Sequence, residues 1–390
     1  MERLGVPALA LGVLVDGTAE TWARGCSEDD VFRIASVTKP FTATLAARLL
    51  SLDDRVGVWP DVRVRHLLSH TSGYDSECGD LARFGDGDDA LDRLVRELPS
   101  VRRRLPAGEA WSYSNAGYWL TGWLCARRGG MTFEDALREH VLDPAGLEST
   151  SFGEPTLEGH DVDPSTGAHA PTRTPTYPRA RRSSGGLVST VFDLLRFARV
   201  LLEESWAAAL RVPLAPMPGG EYGLGLALAR VAGEEVWRHD GSYGGFQSTF
   251  VVVPARRAAF VGLTNSGAGG RALRDIEDEV FLRLLGARRE EPPTMEQAPE
   301  ELEVLAGTYA RPELEATVTR ADGGLRVDAV EIDLRDGTRT PYPPLRARPI
   351  GKRTYVFLDG PMEHSRFDFL PAEGPPRFAR VASRLAERVP

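Results

Sequence analysis

A serine and a lysine stand three residues apart in Ser36-Val37-Thr38-Lys39, where an extended segment, residues 31–35, enters a helical pattern that starts at Pro40. At that spacing on a helix start the two side chains share one face. The free N–H groups and partial positive charge of a helix N-terminus suit a developing oxyanion. A serine hydroxyl is a weak nucleophile until a nearby base takes its proton. Lysine serves as that base only where burial or neighbouring cations depress its pKa well below about 10. Taken alone, the pair is equally an N-cap serine beside a surface lysine. Composition adds one fact: of 47 lysines plus arginines, only Lys39 and Lys352 are lysines. Where arginine fills nearly every cationic position, a retained lysine points to chemistry that a permanently protonated guanidinium cannot perform.

Two further groups carry matching chemistry. Tyr113-Ser114-Asn115, inside PAGEAWSYSNAGYWLTG, supplies a phenol able to relay a proton and an amide able to donate to a substrate carbonyl. His239-Asp240-Gly241-Ser242 stands ahead of an apolar run at 247–253. A sheet edge there would offer the Ser242 N–H as a second oxyanion donor, and Gly241 would let substrate approach the backbone. His66 and His70, in HLLSH, have helical metal-ligand spacing but lack the glutamate of a HExxH site, so both are expected to be structural. No metal and no cofactor are expected.

Positioning these groups requires elements from both ends of the chain. Residues 8–15, the Asp16-Gly17 turn pair and residues 21–25 read as a hairpin. Residues 40–50 read as a helix burying Phe41, Leu45 and Leu49 on one face. The segment 189–193 reads as a capping box opening a helix through Leu202. Strand-like runs follow at 224–231, 247–253 and 258–264, then a periodic helix over 271–285 stopped by Gly286. The economical fold is α/β (α+β): an antiparallel sheet assembled from N- and C-terminal strands, flanked by helices, with a helical insertion. Residues 287–299 are charged and proline-rich, a linker composition. Beyond them, short alternating runs such as 316–320, 325–327 and 354–358 predict a small antiparallel β-barrel. The expected domains are therefore 1–286, catalytic, and 300–390, barrel, joined by that linker.

Bulk composition excludes several classes. An apolar share of 42% and a charged share of 26% are those of a globular protein. A net charge of -9 argues against a nucleic-acid surface. The densest basic run, Arg102 to Arg104, is expected to be a solvated helix end. Cys26, Cys78 and Cys125 are odd in number and lack CxxC spacing, which argues against a disulfide framework. No apolar stretch approaches the roughly 20 residues of a membrane helix. Without a signal-peptide pattern, the default location is cytoplasmic.

Ser36-x-x-Lys39, Tyr113-x-Asn115 and His239-x-Gly241, in that order, resemble the three-motif signature of the serine β-lactamase and penicillin-binding-protein-like superfamily. Class C β-lactamases, D-alanyl-D-alanine peptidases, D-aminopeptidases and esterases belong to it. The surrounding phrases VFRIASVTKPFTA, VRHLLSHTSG, GEAWSYSNAGY and GGLVSTVFDLLRFA match too, and the likeness spans about residues 5–286. The resemblance implies an acyl-enzyme. In it Ser36 attacks, Lys39 and Tyr113 shuttle the proton, and the amides of Ser36 and Ser242 hold the oxyanion. Asn115 orients substrate, and His239 helps protonate Tyr113 or binds a substrate carboxylate. His239 stands where β-lactamases commonly carry lysine, which resembles the D-peptidase and esterase relatives. Relatives usually place a helix before the first strand; if such a piece precedes this sequence, a periplasmic or secreted location follows instead. The C-terminal module is similar to lipocalin-like barrels appended to some D-aminopeptidases and penicillin-binding-protein-type thioesterases. The expected activity is hydrolysis of esters or amides in small molecules or D-residue-containing peptides. The alternatives are acyl transfer from a carrier protein, as in a peptide cyclase or transesterase, and a non-catalytic sensor that keeps the fold.

Overall fold

The computed structural model describes residues 5–163, 166–173 and 176–389. Its first unit is built on an eight-stranded antiparallel sheet. In chain order the strands are β1 (Leu9–Val15), β2 (Thr18–Arg24), β3 (Ala215–Met217), β4 (Gly220–Tyr222), β5 (Ala227–Val231), β6 (Glu234–Tyr243), β7 (Phe246–Val253) and β8 (Ala258–Thr264). In space they run β2-β1-β8-β7-β6-β5-β4-β3, so strands from the two ends meet where β1 pairs with β8. The predicted hairpin forms with Val15 opposite Thr18. Its turn residues Asp16 and Gly17 both have positive φ, as a two-residue turn matched to strand twist requires.

Both faces of the central strands are covered, which explains their unbroken apolar runs. On β7, Phe250 and Val252 enter the large core beneath the helices. Val251 and Val253 enter a second core with Phe281, Ile276 and Val280 of the helix Gly269–Leu285. The predicted helix at 40–50 begins earlier, as α1 (Thr38–Leu49), directly after a 3₁₀ turn, Ala35–Val37. Its residues from Thr38 to Ala46 are all buried, so it is wrapped on every side rather than on one face. That burial accounts for a stretch whose one charged residue is Lys39. Phe41 stacks on Phe197, with ring centroids 3.8 Å apart, tying α1 to α3 (Val191–Glu203). Between these two in chain order comes α2 (Asn115–Gly129), which packs on α1. Thr190 caps α3 by accepting from Asp193 N, as the capping pattern predicts. The Asp193 carboxylate, however, turns to Ser149 N and Thr150 Oγ1 instead of completing a box.

The second unit is a closed eight-stranded antiparallel barrel formed by Gly307–Arg311, Leu314–Ala321, Gly324–Ile332, Leu345–Pro349, Thr354–Phe357, Arg366–Leu370, Phe378–Val381 and Arg384–Arg388. Alternate residues fill its interior, among them Tyr309, Val318, Val327, Tyr355, Phe357, Phe367 and Phe369. Leu302 and Leu305 join them from a short helix, Pro299–Leu305, which the sequence reading did not anticipate.

The basic run at 102–104 is a correction to the sequence reading. It lies in an extended segment bridged to Tyr74 and docks on the barrel. Arg104 is buried and grips Asp75 through two nitrogens, at 2.6 and 3.1 Å. Arg102 pairs with Glu387 of the last barrel strand. Leu105, Phe378 and Leu385 close the joint with an apolar cluster.

Candidate active site

The predicted serine sits on a backbone under strain. Ala35, just before it, has φ +45°, a left-handed conformation that costs a non-glycine residue roughly 1–2 kcal/mol. Neighbours hold this conformation: Ile34 N donates to Leu187 O at 3.1 Å, and Ser248 Oγ donates to Ile34 O at 2.7 Å. Ser36 is thereby turned toward β6, which carries the third motif.

Lys39 Nζ lies 3.1 Å from Ser36 Oγ and donates to Ser184 O at 2.6 Å. The lysine is fully buried. Burial foremost, then the fields of Arg384 and Arg181, hold its amine well below the ordinary lysine pKa, and Glu77 opposes them. The rings of Tyr113 and Tyr118, 4.8 and 5.4 Å from Nζ, favour the ammonium. Such contacts are worth about 1–2 kcal/mol, less than the desolvation of a buried charge, so the downward direction wins.

Tyr113 O–H donates to Ser36 Oγ at 2.9 Å. Burial raises its pKa, so the phenol keeps its proton at neutral pH. The turn that presents it is fixed from beneath. Ser114 caps α2 by accepting from Gly117 N at 3.3 Å, and Ser114 N donates to His70 Nδ1 at 3.0 Å. With Nδ1 accepting, His70 turns its Nε2–H to Tyr222 Oη at 3.2 Å. Burial keeps this imidazole neutral, its pKa well below the usual histidine range. His70 thus underpins the second motif, while His66 Nδ1 accepts from Arg63 N at a helix start. Among the described residues, no group of three or more His, Cys, Asp or Glu is placed to hold a metal ion.

The third motif lies ahead of β7, as expected, and is itself part of a strand, β6. The sequence runs showed no strand at 234–243, because Arg238, His239 and Asp240 break the apolar pattern. Gly241 pairs with Ser248 on β7 and passes directly beneath the nucleophile turn. A Cβ there would overlap Ile34 O and Ser248 Oγ and come within 3.1 Å of Ser36 N. Only glycine allows β6 this close to the serine. Ser242, one residue on, is exposed, and its Oγ accepts from Gln247 Nε2 at 2.8 Å. His239 is buried, with Nδ1 2.8 Å from Asp240 O. A carbonyl only accepts, so Nδ1 carries the proton and Nε2 is a bare lone pair. Burial, the largest cause, pushes the His239 pKa down to about 4. Its Nε2 is buried without a partner, and its ring faces Tyr113 at 6.2 Å.

Asn115 donates through Nδ2 to Glu77 Oε1 at 2.5 Å, and Asn115 N donates to Ser76 Oγ at 3.0 Å. Glu77 also lies 3.5 Å from Arg384 of the barrel. Sequence reasoning missed Glu77, Ser184, Arg181 and Arg384. Arg384 sits over the Tyr113 ring at 5.3 Å, and Ser383 O accepts from Tyr113 N at 2.9 Å. The barrel thus delivers a tight turn, 381–384, onto the second motif. The turn residues Ala382 and Ser383 both have positive φ, where glycine or asparagine is the usual choice, so nothing in VASRL announces a turn. Of the seven predicted residues, Lys39, Tyr113 and Gly241 therefore meet at Ser36, while Asn115, His239 and Ser242 stand next to them on α2 and β6, and the barrel turn packs on Tyr113.

Comparison with known proteins agrees with this geometry. Residues 1–284 match the family described as Beta-lactamase. The chain is 32% identical to Penicillin-binding protein 4 of Amycolatopsis lactamdurans, over 78% of this chain and 93% of that protein. The crystal structure of SurE superposes with a TM-score of 0.76 at 25% identity, covering 100% of this chain and 96% of that one. A D-stereospecific amidohydrolase from Streptomyces sp. superposes with a TM-score of 0.61 at 25% identity, over 73% of this chain and 95% of that chain. With a family match over most of its length and a relative matched nearly end to end, this chain belongs to the β-lactamase family, within the serine β-lactamase and penicillin-binding-protein-like superfamily.

Proposed function

We propose that this hydrolase works through an acyl-serine on amide or ester bonds, with D-residue-containing peptides as its substrates. The observation that carries the reading is the convergence of Lys39 Nζ and Tyr113 Oη on Ser36 Oγ. In the resting site Lys39 is a neutral amine: one N–H is committed to Ser184 O and its lone pair is free for the Ser36 proton. Ser36 attacks the carbonyl carbon as its proton passes to Lys39. The oxyanion forms against the backbone amides of Ser36 and Ser242, which the Gly241 approach brings together. Tyr113 O–H protonates the leaving group, and the Lys39 ammonium returns a proton to Tyr113. Water, stripped of a proton by the same amine, then releases the acyl group.

Asn115 keeps its amide oxygen and second N–H for the substrate, while Glu77 fixes its orientation. His239 fits an acceptor role better than a donor role. Its proton is on Nδ1, and its Nε2 lone pair is buried without a partner, so at neutral pH it does not supply positive charge for a carboxylate. The D-stereospecific amidohydrolase among the structural relatives supports the substrate class. The deciding experiment is a turnover screen of p-nitrophenyl esters, D- and L-amino-acid amides, a chromogenic cephalosporin and a peptidyl thioester. Turnover confined to L-amides, or to the cephalosporin, rejects the D-peptide reading.

Acyl transfer to an amine is a second reading, favoured by the barrel turn at 381–384. This turn covers Tyr113 and narrows the approach of water to the acyl-serine. Product partitioning with added D-alaninamide separates the two: transfer predicts amide product exceeding acid at millimolar acceptor, hydrolysis the reverse. A carrier protein enters as partner only in this second reading.

A further inference from the structure

Two guanidinium groups act on Lys39, and they differ in their partners. Arg384 already faces the carboxylates of Glu77, at 3.5 Å, and Glu313, at 3.7 Å. Arg181 has no such neighbour: among the described residues no carboxylate forms an ion pair with it, and Glu77 acts on it only at longer range. Its Nε is buried with no hydrogen-bond partner. Its guanidinium lies instead among three aromatic rings, with Cζ 5.1 Å from the Tyr177 centroid, 5.4 Å from Tyr243 and 6.0 Å from Trp119. Tyr177 and Tyr243 meet edge to face at 4.6 Å, so the cage is a formed structure.

The cage opens beside the nucleophile. Tyr177 Oη contacts Ser184 Oγ at 3.2 Å, and Ser184 O is the anchor of Lys39. A Cβ on Gly185 would overlap the Tyr177 phenol oxygen and come within 3.4 Å of Ala35 C, so this phenol lies against the turn that presents Ser36. Tyr243 follows Ser242 at the end of β6. A cation taken out of water is normally compensated by an opposite charge. Aromatic rings supply part of that compensation and hold the planar fork in place, and a hydrogen bond to Tyr177 engages one of its N–H groups and leaves the others. Those N–H groups match a carboxylate, which accepts two parallel hydrogen bonds from guanidinium.

We infer that Arg181, within the Tyr177, Tyr243 and Trp119 cage, is the binding site for a carboxylate carried by the substrate. The site rests on the acyl-serine reading for its purpose but not for its detection. The substrate would then be an acidic peptide or acyl compound, its charge coming from a free C-terminus or from an acidic side chain.

Binding to the full-length Ser36→Ala protein tests this without turnover. One probe pair is N-acetyl-D-alanyl-D-alanine and its C-terminal amide; the other is N-acetyl-D-glutamic α-amide and N-acetyl-D-glutamine amide. Calorimetric titration is expected to show at least tenfold tighter binding of the acid than of its neutral twin in one pair, and that pair identifies the source of the carboxylate. Adding Arg181→Met is expected to abolish the preference, whereas Arg384→Met leaves it. Arg181→Gln, which keeps length and polarity, serves should the methionine variant not fold. Equal affinity for acid and amide in both pairs, or a preference that survives loss of Arg181, overturns the proposal. A separate stopped-flow run with p-nitrophenyl acetate on wild type reports on Ser36. Absence there of both p-nitrophenol release and a Ser36 acetyl adduct by mass spectrometry rejects the acyl-serine reading and leaves the binding result standing.

Discussion

Tyr113 N and Ser383 O are joined by a hydrogen bond of 2.9 Å, so the residue proposed as proton relay is held in part by a turn of the barrel. Leu385 N adds a second tie, donating to Ser112 Oγ at 3.1 Å. The second unit therefore braces the second motif, and separating it from the first should change chemistry as well as stability.

The acyl-serine assignment makes labelling specific. A fluorophosphonate probe is expected to modify wild type at Ser36 alone, and Ser36→Ala to abolish labelling, as read by peptide mass spectrometry. Modification of a different serine in both proteins would remove Ser36 from the mechanism.

Lys39 must lose a proton to act, and burial makes that easy at the cost of stability. Lys39→Arg is expected to lose about as much kcat/KM as Lys39→Ala, at least a thousandfold, because guanidinium does not serve as a base. Lys39→Met is expected to raise the thermal midpoint at pH 7 by several degrees. The unfolded chain binds a proton at this lysine that the folded chain does not, so the amine weighs against folding below its unfolded pKa. A lower midpoint for the methionine variant would contradict a neutral buried amine.

Arg384 shifts the working pH. Its charge lowers the Lys39 pKa, so Arg384→Gln is expected to raise it and move the acid limb of the kcat/KM profile to higher pH. An unmoved limb would show that the barrel arginine does not reach the amine electrostatically.

His70 and His239 are buried and neutral, with pKa values lowered from the free value of 6.5. Stability from keeping them unprotonated is complete above about pH 6.5 and falls as pH drops toward the folded values, because the unfolded chain takes up the protons first. Denaturant midpoints are expected to decline steadily between pH 6.5 and 4. His70→Asn, which removes one of these groups, is expected to flatten the decline.

Gly241→Ala is expected to cut kcat/KM by a hundredfold or more and to destabilise by about 1–3 kcal/mol, since its methyl meets two backbone groups of the nucleophile turn. In contrast, replacing Ala382-Ser383 with Asn-Gly suits the left-handed turn and is expected to stabilise by about 1 kcal/mol in urea titrations. Destabilisation by Asn-Gly would mean the present side chains hold the turn through contacts that outweigh the backbone strain.

Much of the site was legible in the chain itself. Ser36 and Lys39 needed only the helix start between them, since three residues of helix fix their separation. Tyr113-x-Asn115 and His239-x-Gly241 were recognisable as residue types suited to relay and oxyanion work, and the hairpin at 9–24 announced itself through Asp16-Gly17. The strand Glu234–Tyr243 was hidden because its polar residues belong to function and to ion pairs, as when Arg238 reaches Glu277 at 3.2 Å. Arg102 to Arg104 looked like solvated charge, because nothing local reveals that Asp75 and Glu387 wait across the domain joint.

The sequence by itself determined which side chains could do acyl chemistry, because that depends on residue type and short spacing. Tertiary structure alone decided that the lysine is dry, that Glu77 holds Asn115, and that Arg181 and Arg384 flank the amine. Desolvation and electric fields arise from groups far apart in the chain, and no local pattern encodes them.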